Sequence, residues 1–260
     1  VGAPYRYFGG SFPGTGGDCA GTLNPAATCT IVVEYAPSVP SAVDNDTIDF
    51  SYNNGVSPQN ATRDITGVAV SPANLTITES DPYDFGSLAV GATTNHVFTV
   101  TNAGGFTASS MAEVGLGGDF GFVGGGYPGT TGTCGGSLAP AAACTINVEF
   151  GPSSTGLKPD TISISYNDGA STVTSDRDIQ GTGAAAANIT ITETDPYDYG
   201  SVTQNGADTH TFALQNTGGV TATSVAGSGL VAPFTFLGGS YPGTGGTCGT
   251  SIANGASCNI

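Results

Sequence analysis

The chain has 260 residues, of which 20 are acidic and only four basic, for a formal net charge of −16. Nucleic acids and anionic lipid surfaces recruit lysines and arginines to replace counterions, so this balance excludes both as partners. No stretch approaches the roughly 20 apolar residues of a membrane-spanning helix, and an apolar content of 38% in regular runs argues against disorder.

In chain order, a glycine-rich phrase comes first, "GGSFPGTGGDC" from Gly9 to Cys19. "CTIVVEY" comes next, with Ile31, Val33 and Tyr35 on one face, and then "DTIDFSY", with Ile48, Phe50 and Tyr52 inward. "NNG" at Asn53 marks a turn. A stretch of small residues, "GVAVSPA" from Gly67 to Ala73, precedes "ITESDPYDFGS" at Ile77. "HVFTVTN" puts Phe98 and Val100 on one face and Thr99 and Thr101 on the other, and "NAGG" at Asn102 is a turn signal. The phrase returns as "GGGYPGTTGTC" from Gly124 to Cys134. "CTINVEF" sets Ile146, Val148 and Phe150 against Thr145, Asn147 and Glu149, and "DTISISY" points Ile162, Ile164 and Tyr166 inward. After "NDG" at Asn167 come "DRDIQG", the small stretch "GTGAAAA" (Gly181 to Ala187), "ITETDPYDYGS" at Ile191, a strand with Phe212 and Leu214, and "GGSYPGTGGTC" from Gly238 to Cys248. Alternation with period two is the mark of half-buried strands, and no long run has helical spacing.

The order repeats. Ile77 and Ile191 open matching phrases 114 residues apart, and Cys19, Cys134 and Cys248 are spaced 115 and 114. That period is a domain size, whereas a solenoid unit spans about 20 to 50 residues. Residues 1–31 align with 230–260, so the chain reads as a window on a longer tandem array. The expected units are the C-terminal part of one module at 1–71, a complete module at 72–187 and the N-terminal part of a third at 188–260. The small-residue stretches between them are joints expected to bend while keeping successive modules end to end. Seven or eight short strands per module predict an all-β, immunoglobulin-like sandwich. The buried Trp of antibody domains is absent, since the chain has none.

Six cysteines form the pairs Cys19/Cys29, Cys134/Cys144 and Cys248/Cys258, each with nine residues between its members. Zinc needs about four ligands, and each module offers two cysteines with no recurring histidine beside them. The expectation is one disulfide per module, worth about 3 kcal/mol by loop entropy, fastening the glycine-rich phrase to the next strand. Such bonds imply an oxidising, extracytoplasmic location. A phosphate cradle would need a helix N-terminus directly after the phrase, and here a strand occupies that place.

"TESDPYDFG" gathers Glu79, Asp81 and Asp84, and "TETDPYDYG" gathers Glu193, Asp195 and Asp198. Calcium takes several such oxygens; the plainer alternative is an acidic turn set by Asp-Pro, with Tyr83 or Tyr197 packed inward. Asp64 beside Arg63 and Asp178 beside Arg177 are expected to form local ion pairs. His96 and His210 are one residue copied by the repeat, read as packed strand histidines. Sequons lie at Asn45, Asn60, Asn74 and Asn188. No catalytic set or cofactor fingerprint stands apart from the repeat, so no enzyme activity and no cofactor other than calcium are expected.

The run "DPYDFGSLAVGATTNHVFTVTNAGG", then "GGGYPGTTGTCGGSLAPAAACTINVEFGP", then "DTISISYNDG" resembles the bacterial choice-of-anchor D repeat, itself similar to Hydin-like immunoglobulin domains. The resemblance implies a secreted or surface-anchored bacterial protein of tandem sandwiches, with no catalytic residues. The functional expectation is an extracellular structural protein that self-associates into a fibre or filament. The alternative is the spacer of a surface adhesin whose ligand-binding domain lies outside this segment.

Overall fold

Alternating strands need a second layer to cover their apolar faces, and residues 73–184 supply both layers. The computed structural model describes every residue from Val1 to Ile260 and is all-β, with no helix. Strands β1 (Tyr5–Tyr7), β2 (Val33–Tyr35), β3 (Ser41–Asn53) and β4 (Pro58–Ala69) come first. The central sandwich is next: β5 (Leu75–Ile77), β6 (Tyr83–Ala89), β7 (Thr94–Asn102), β8 (Ala108–Glu113), β9 (Phe120–Phe122), β10 (Ser137–Leu138), β11 (Ala143–Phe150), β12 (Gly156–Asn167) and β13 (Thr172–Ala184). The chain continues with β14 (Ile189–Ile191), β15 (Ala213–Asn216), β16 (Ala222–Thr223), β17 (Ser251–Ile252) and β18 (Ser257–Asn259).

In the central sandwich one sheet has the order β10-β8-β12-β13-β6 and the other β5-β7-β11-β9. All pairs are antiparallel except β13 with β6. Phe98 and Val100 of β7 and Ile146, Val148 and Phe150 of β11 meet Ile162 and Ile164 of β12 and Ile179 of β13, all fully buried. Burying each such side chain contributes about 1.5–3 kcal/mol. All but Ile179 are inward residues read from the alternation.

The flanking segments repeat parts of this pattern. β14-β15-β18 matches β5-β7-β11 in order, and the β3–β4 hairpin matches β12–β13. Each flank carries only part of each layer, β1-β2 with β3-β4 before the sandwich and β14-β15-β18 with β16-β17 after it. Tyr52 is 51% exposed where its counterpart Tyr166 is 3% exposed, and an apolar groove of about 850 Å³ lies open between Ile191, Phe212, Phe234 and Ile260.

Candidate functional site: the joints and the stapled loop

The joints are shorter than the sequence suggests. β4 runs through Ala69 and β13 through Ala184, so half of each small-residue stretch is strand. Of the remaining residues, Ser71, Ala73 and Ala185 are bonded to the segment on their C-terminal side. The Ala184 carbonyl accepts from the Val90 amide of the central sandwich at 2.9 Å, and the next carbonyl, Ala185, accepts from Gly219 at 3.0 Å. At the first joint Ala69 pairs with Ser41 of β3, while the Ser71 carbonyl accepts from Gly105 at 3.2 Å. Stretches expected to bend are therefore held from both sides, because each passes directly against a Gly-Gly loop. A Cβ on Gly104 would come within 2.1 Å of the Pro72 carbonyl oxygen, and one on Gly218 within 2.1 Å of that of Ala186. Only glycine lets the chain pass.

A buried asparagine organises each loop. Asn102 Nδ2 donates to the carbonyls of Phe106 (2.8 Å) and Leu138 (3.0 Å), and its Oδ1 accepts from the amides of Asn74 (3.1 Å) and Gly104 (3.0 Å). Asn216 repeats all four bonds, with Val220, Ile252, Asn188 and Gly218 at the same distances. Both donors and both acceptor positions of each amide are used, and both residues are completely buried. "NAGG" gives a turn from sequence; the burial of its Asn does not come from turn statistics. The recurrence of Asn-x-Gly-Gly after an apolar strand was the available signal.

The central strands fix where the chain arrives and leaves. Ala73 donates to the Asp168 carbonyl just before β13 begins, and the chain leaves where β13 ends. Thirteen strand residues span about 40 Å, so the two joints lie at opposite ends of the sandwich.

All six cysteines are bonded in the pairs Cys19–Cys29, Cys134–Cys144 and Cys248–Cys258. The fastened phrase covers an edge. β9 pairs only with Val148 to Phe150 of β11. Beyond it the loop takes over: Val123 donates to the Asn147 carbonyl, Asn147 donates to that of Pro128, and Thr133 and Cys134 donate to that of Thr145. The Asn147 side chain, expected to face outward, is buried under the loop and donates to the Thr130 carbonyl at 3.0 Å. The loop lies so close that a Cβ on Gly129 would reach within 2.3 Å of the Asn147 carbonyl oxygen.

The acidic residues after each joint are spent separately. Glu79 accepts from the Thr99 amide, Asp81 faces Arg177 at 3.3 Å, and Asp84 caps the Gly86 amide. Glu193 accepts from Ala213 and Asp198 from Gly200. No three acidic, histidine or cysteine side chains converge in a metal-holding group; Asp195 joins none. One oxygen of Glu79 and one of Glu193 are buried without a partner. Tyr83 stacks on His96 and Tyr197 on His210, with ring centres 4.2 and 4.0 Å apart. Burial pushes the Tyr83 phenol up, with the Glu79 charge adding to it.

The expected Arg–Asp neighbour pairs do not form. Successive strand side chains point to opposite faces. Arg177 turns inward to Asp81 and the Ile77 carbonyl, while Asp178 accepts from Thr161 on the outer face. Asp64 accepts from Thr47, and Arg63 makes no ion pair.

Comparison with known proteins supports the fold of this middle region. No curated protein sequence matches the chain. The Vibrio cholerae VesB protease structure aligns with a TM-score of 0.34 and 14% identity, over 43% of this chain and 32% of that one. The ASH/PapD-like domain of human CEP192 aligns at 0.32 and 12%, over 45% and 88%. The class 5 fimbriae chaperone CfaA aligns at 0.28 and 13%, over 71% and 84%. This chain thus spans about a third of the VesB structure. Residues 76–182, the body of the sandwich between the two joints, match the family of HYDIN/CFA65/VesB-like, Ig-like domains.

Proposed function

We propose that this is a non-enzymatic structural protein of the cell exterior, a string of Hydin-like sandwiches of the choice-of-anchor D kind. The slack-free joint carries this reading. Consecutive residues Ala184 and Ala185 are bonded to different sheet systems, which makes the string a stiff spacer rather than beads on a flexible thread. Three disulfides suit an oxidising location. The acidic and aromatic groups singled out from sequence serve amide capping, ion pairing and packing, which supports a scaffold rather than a catalyst. Repeated identical patches also favour self-association, so the string is read as a fibre. Joints at opposite ends of the sandwich serve a stalk equally well, which keeps the adhesin spacer as the second reading.

Electron microscopy of the native material tests this. Continuous filaments with an axial repeat near 40 Å, the reach of β13, are expected. They should survive EDTA, because five of the six carboxylates after the joints already have protein partners, Asp195 being the exception. Thin stalks ending in a separate head would replace the fibre with the spacer reading, and collapse in EDTA would establish calcium at the joints. Compact particles would remove both readings.

A further inference from the structure

We propose that the open groove of residues 188–260 is the seat of a β3–β4 hairpin from a second copy of this chain, so that copies join head to tail by completing one another's sandwich. The inference rests on the fibre reading and names its contact. In the central sandwich the β12–β13 hairpin lays Ile162, Ile164 and Ile179 over the sheet that contains β5, β7 and β11. The groove is the matching face without that cover: Ile191 is 57% exposed where its counterpart Ile77 is 2% exposed. The hairpin β3–β4 has the pattern to cover it. Its Ile48, Phe50 and Ile65 stand one period before Ile162, Ile164 and Ile179. The strand register is also the same, with Ile48 opposite Arg63 as Ile162 is opposite Arg177.

The polar groups left over on the two sides are counterparts of one another. In the complete sandwich Arg177 reaches from the hairpin to Asp81 and the Ile77 carbonyl. The Asp178 amide donates to Asp81 at 3.2 Å, and the Tyr166 hydroxyl accepts from the Leu75 amide at 3.1 Å. The equivalent hairpin residues are Arg63, Asp64 and Tyr52; the equivalent groove residues are Asp195, Ile191 and Ile189. Arg63 and Asp195 are both without an ion pair, and Tyr52 is exposed. Docking brings each to its counterpart. One bond has no equivalent, since Ala61 stands where Ser175 donates to the Leu75 carbonyl.

The hairpin must come from another copy. Within one chain the hairpin and the groove lie beyond opposite ends of the central sandwich, about 40 Å apart, and both joints are held. To dock, the hairpin leaves β1 and β2, to which Gly2, Tyr5 and Tyr35 tie it through Asp44 and Asp46. The exposed connection Ala36–Pro40 lets it swing away. Once docked, β4 still runs into its own central sandwich across an ordinary joint. One hairpin and one groove per chain make a heterologous contact that does not close, which generates an open filament. The Cys248–Cys258 bond lies in the receiving segment and stays intact, so the contact forms in an oxidising exterior.

Sedimentation of the whole disulfide-bonded chain tests this. The mass should rise with concentration in whole multiples of one chain. Arg63→Glu sets like charge against Asp195 and should raise the midpoint concentration of assembly at least about tenfold. Asp195→Arg, facing Arg63, should do the same. Mixed one to one, the two variants meet with opposite charges at every contact, and the midpoint should return to that of the unsubstituted chain. Mixing cannot repair a folding defect, so the rescue separates a lost contact from a lost fold. An unsubstituted chain that stays monomeric overturns the proposal, as does assembly indifferent to either substitution. A mixture that stays monomeric also overturns it, and would mean that another hairpin, or none, closes the groove. Native filaments that persist with Arg63→Glu would remove this contact and leave the fibre reading standing.

Discussion

Ala184 and Ala185 are covalent neighbours whose carbonyls belong to different sheet systems, the first bonded to Val90 and the second to Gly219. No residue is left between them to act as a hinge. A linker of small residues is flexible only if its backbone groups are free, and here the carbonyls of Ala184 and Ala185 are both taken.

Gly218→Val should break this joint. Its side chain would meet the Ala186 carbonyl and the Ala187 Cα, and forcing atoms into so tight a contact costs about 1–3 kcal/mol. Small-angle scattering should show a broader distribution of maximum dimensions, with the central sandwich still folded. An unchanged scattering profile would mean that the Gly218 contact does not set the angle between the units.

Asn102→Ala should destabilise the central sandwich by at least about 2 kcal/mol, because four buried backbone partners lose their bonds at about 1–3 kcal/mol for each group left unpaired. Asn102→Asp should be worse still. It keeps the shape but turns an acceptor oxygen, in place of Nδ2, toward the carbonyls of both Phe106 and Leu138. Urea midpoints for the two variants check the order.

These two positions mark how much was legible. The inward residues of β7, β11 and β12 come from alternation alone, because strand geometry is local. The staples come from spacing. The features that escaped depend on contacts between distant segments. Asn147 belongs to the outward set by alternation, yet it is buried because the loop from Gly124 returns over it. Arg177 lies beside Asp178 in sequence but its side chain points to the opposite face of the sheet, and its partner Asp81 is 96 residues away. The joints escaped for the same reason, since their partners lie on the loop after the next long strand.

Arg177 and Arg63 occupy equivalent repeat positions with unequal consequences. Arg177→Ala should cost roughly 1.5–3 kcal/mol, the scale of a charge-assisted bond to a buried carbonyl, because the Ile77 carbonyl and Asp81 lose their partner. Arg63→Ala should stay within about 0.5 kcal/mol, as surface changes do. Equal effects in chemical denaturation would show that the two positions share an environment.

Acid should weaken the fold. Asp119 is held below the ordinary carboxylate range by bonds from Ser153 and then by Lys158, and Asp168 by the amides of Ser171 and Ala170. Asp18 is lowered by its bonds from Thr30. A depressed folded value means stability that is complete above the unfolded value, near 4, and lost as pH falls through the folded ones. Relief of the self-repulsion of a −16 chain acts in the opposite direction. The depressed aspartates predict that the thermal midpoint falls steadily below pH 4. A midpoint that rises over that range would show that charge relief dominates.

The parallel pairing of β6 with β13 has a mechanical consequence. Tension applied along the chain would enter through β5, which is paired with β7 of the other sheet, reach the start of β6 and leave through the end of β13 at Ala184. Pulling the start of one strand against the end of its parallel neighbour loads their bonds together, in shear, whereas a hairpin pulled from its open end would release them one at a time. The staple at Cys134–Cys144 lies outside this path. The load is borne by the sheet, and the disulfide is left to guard its edge.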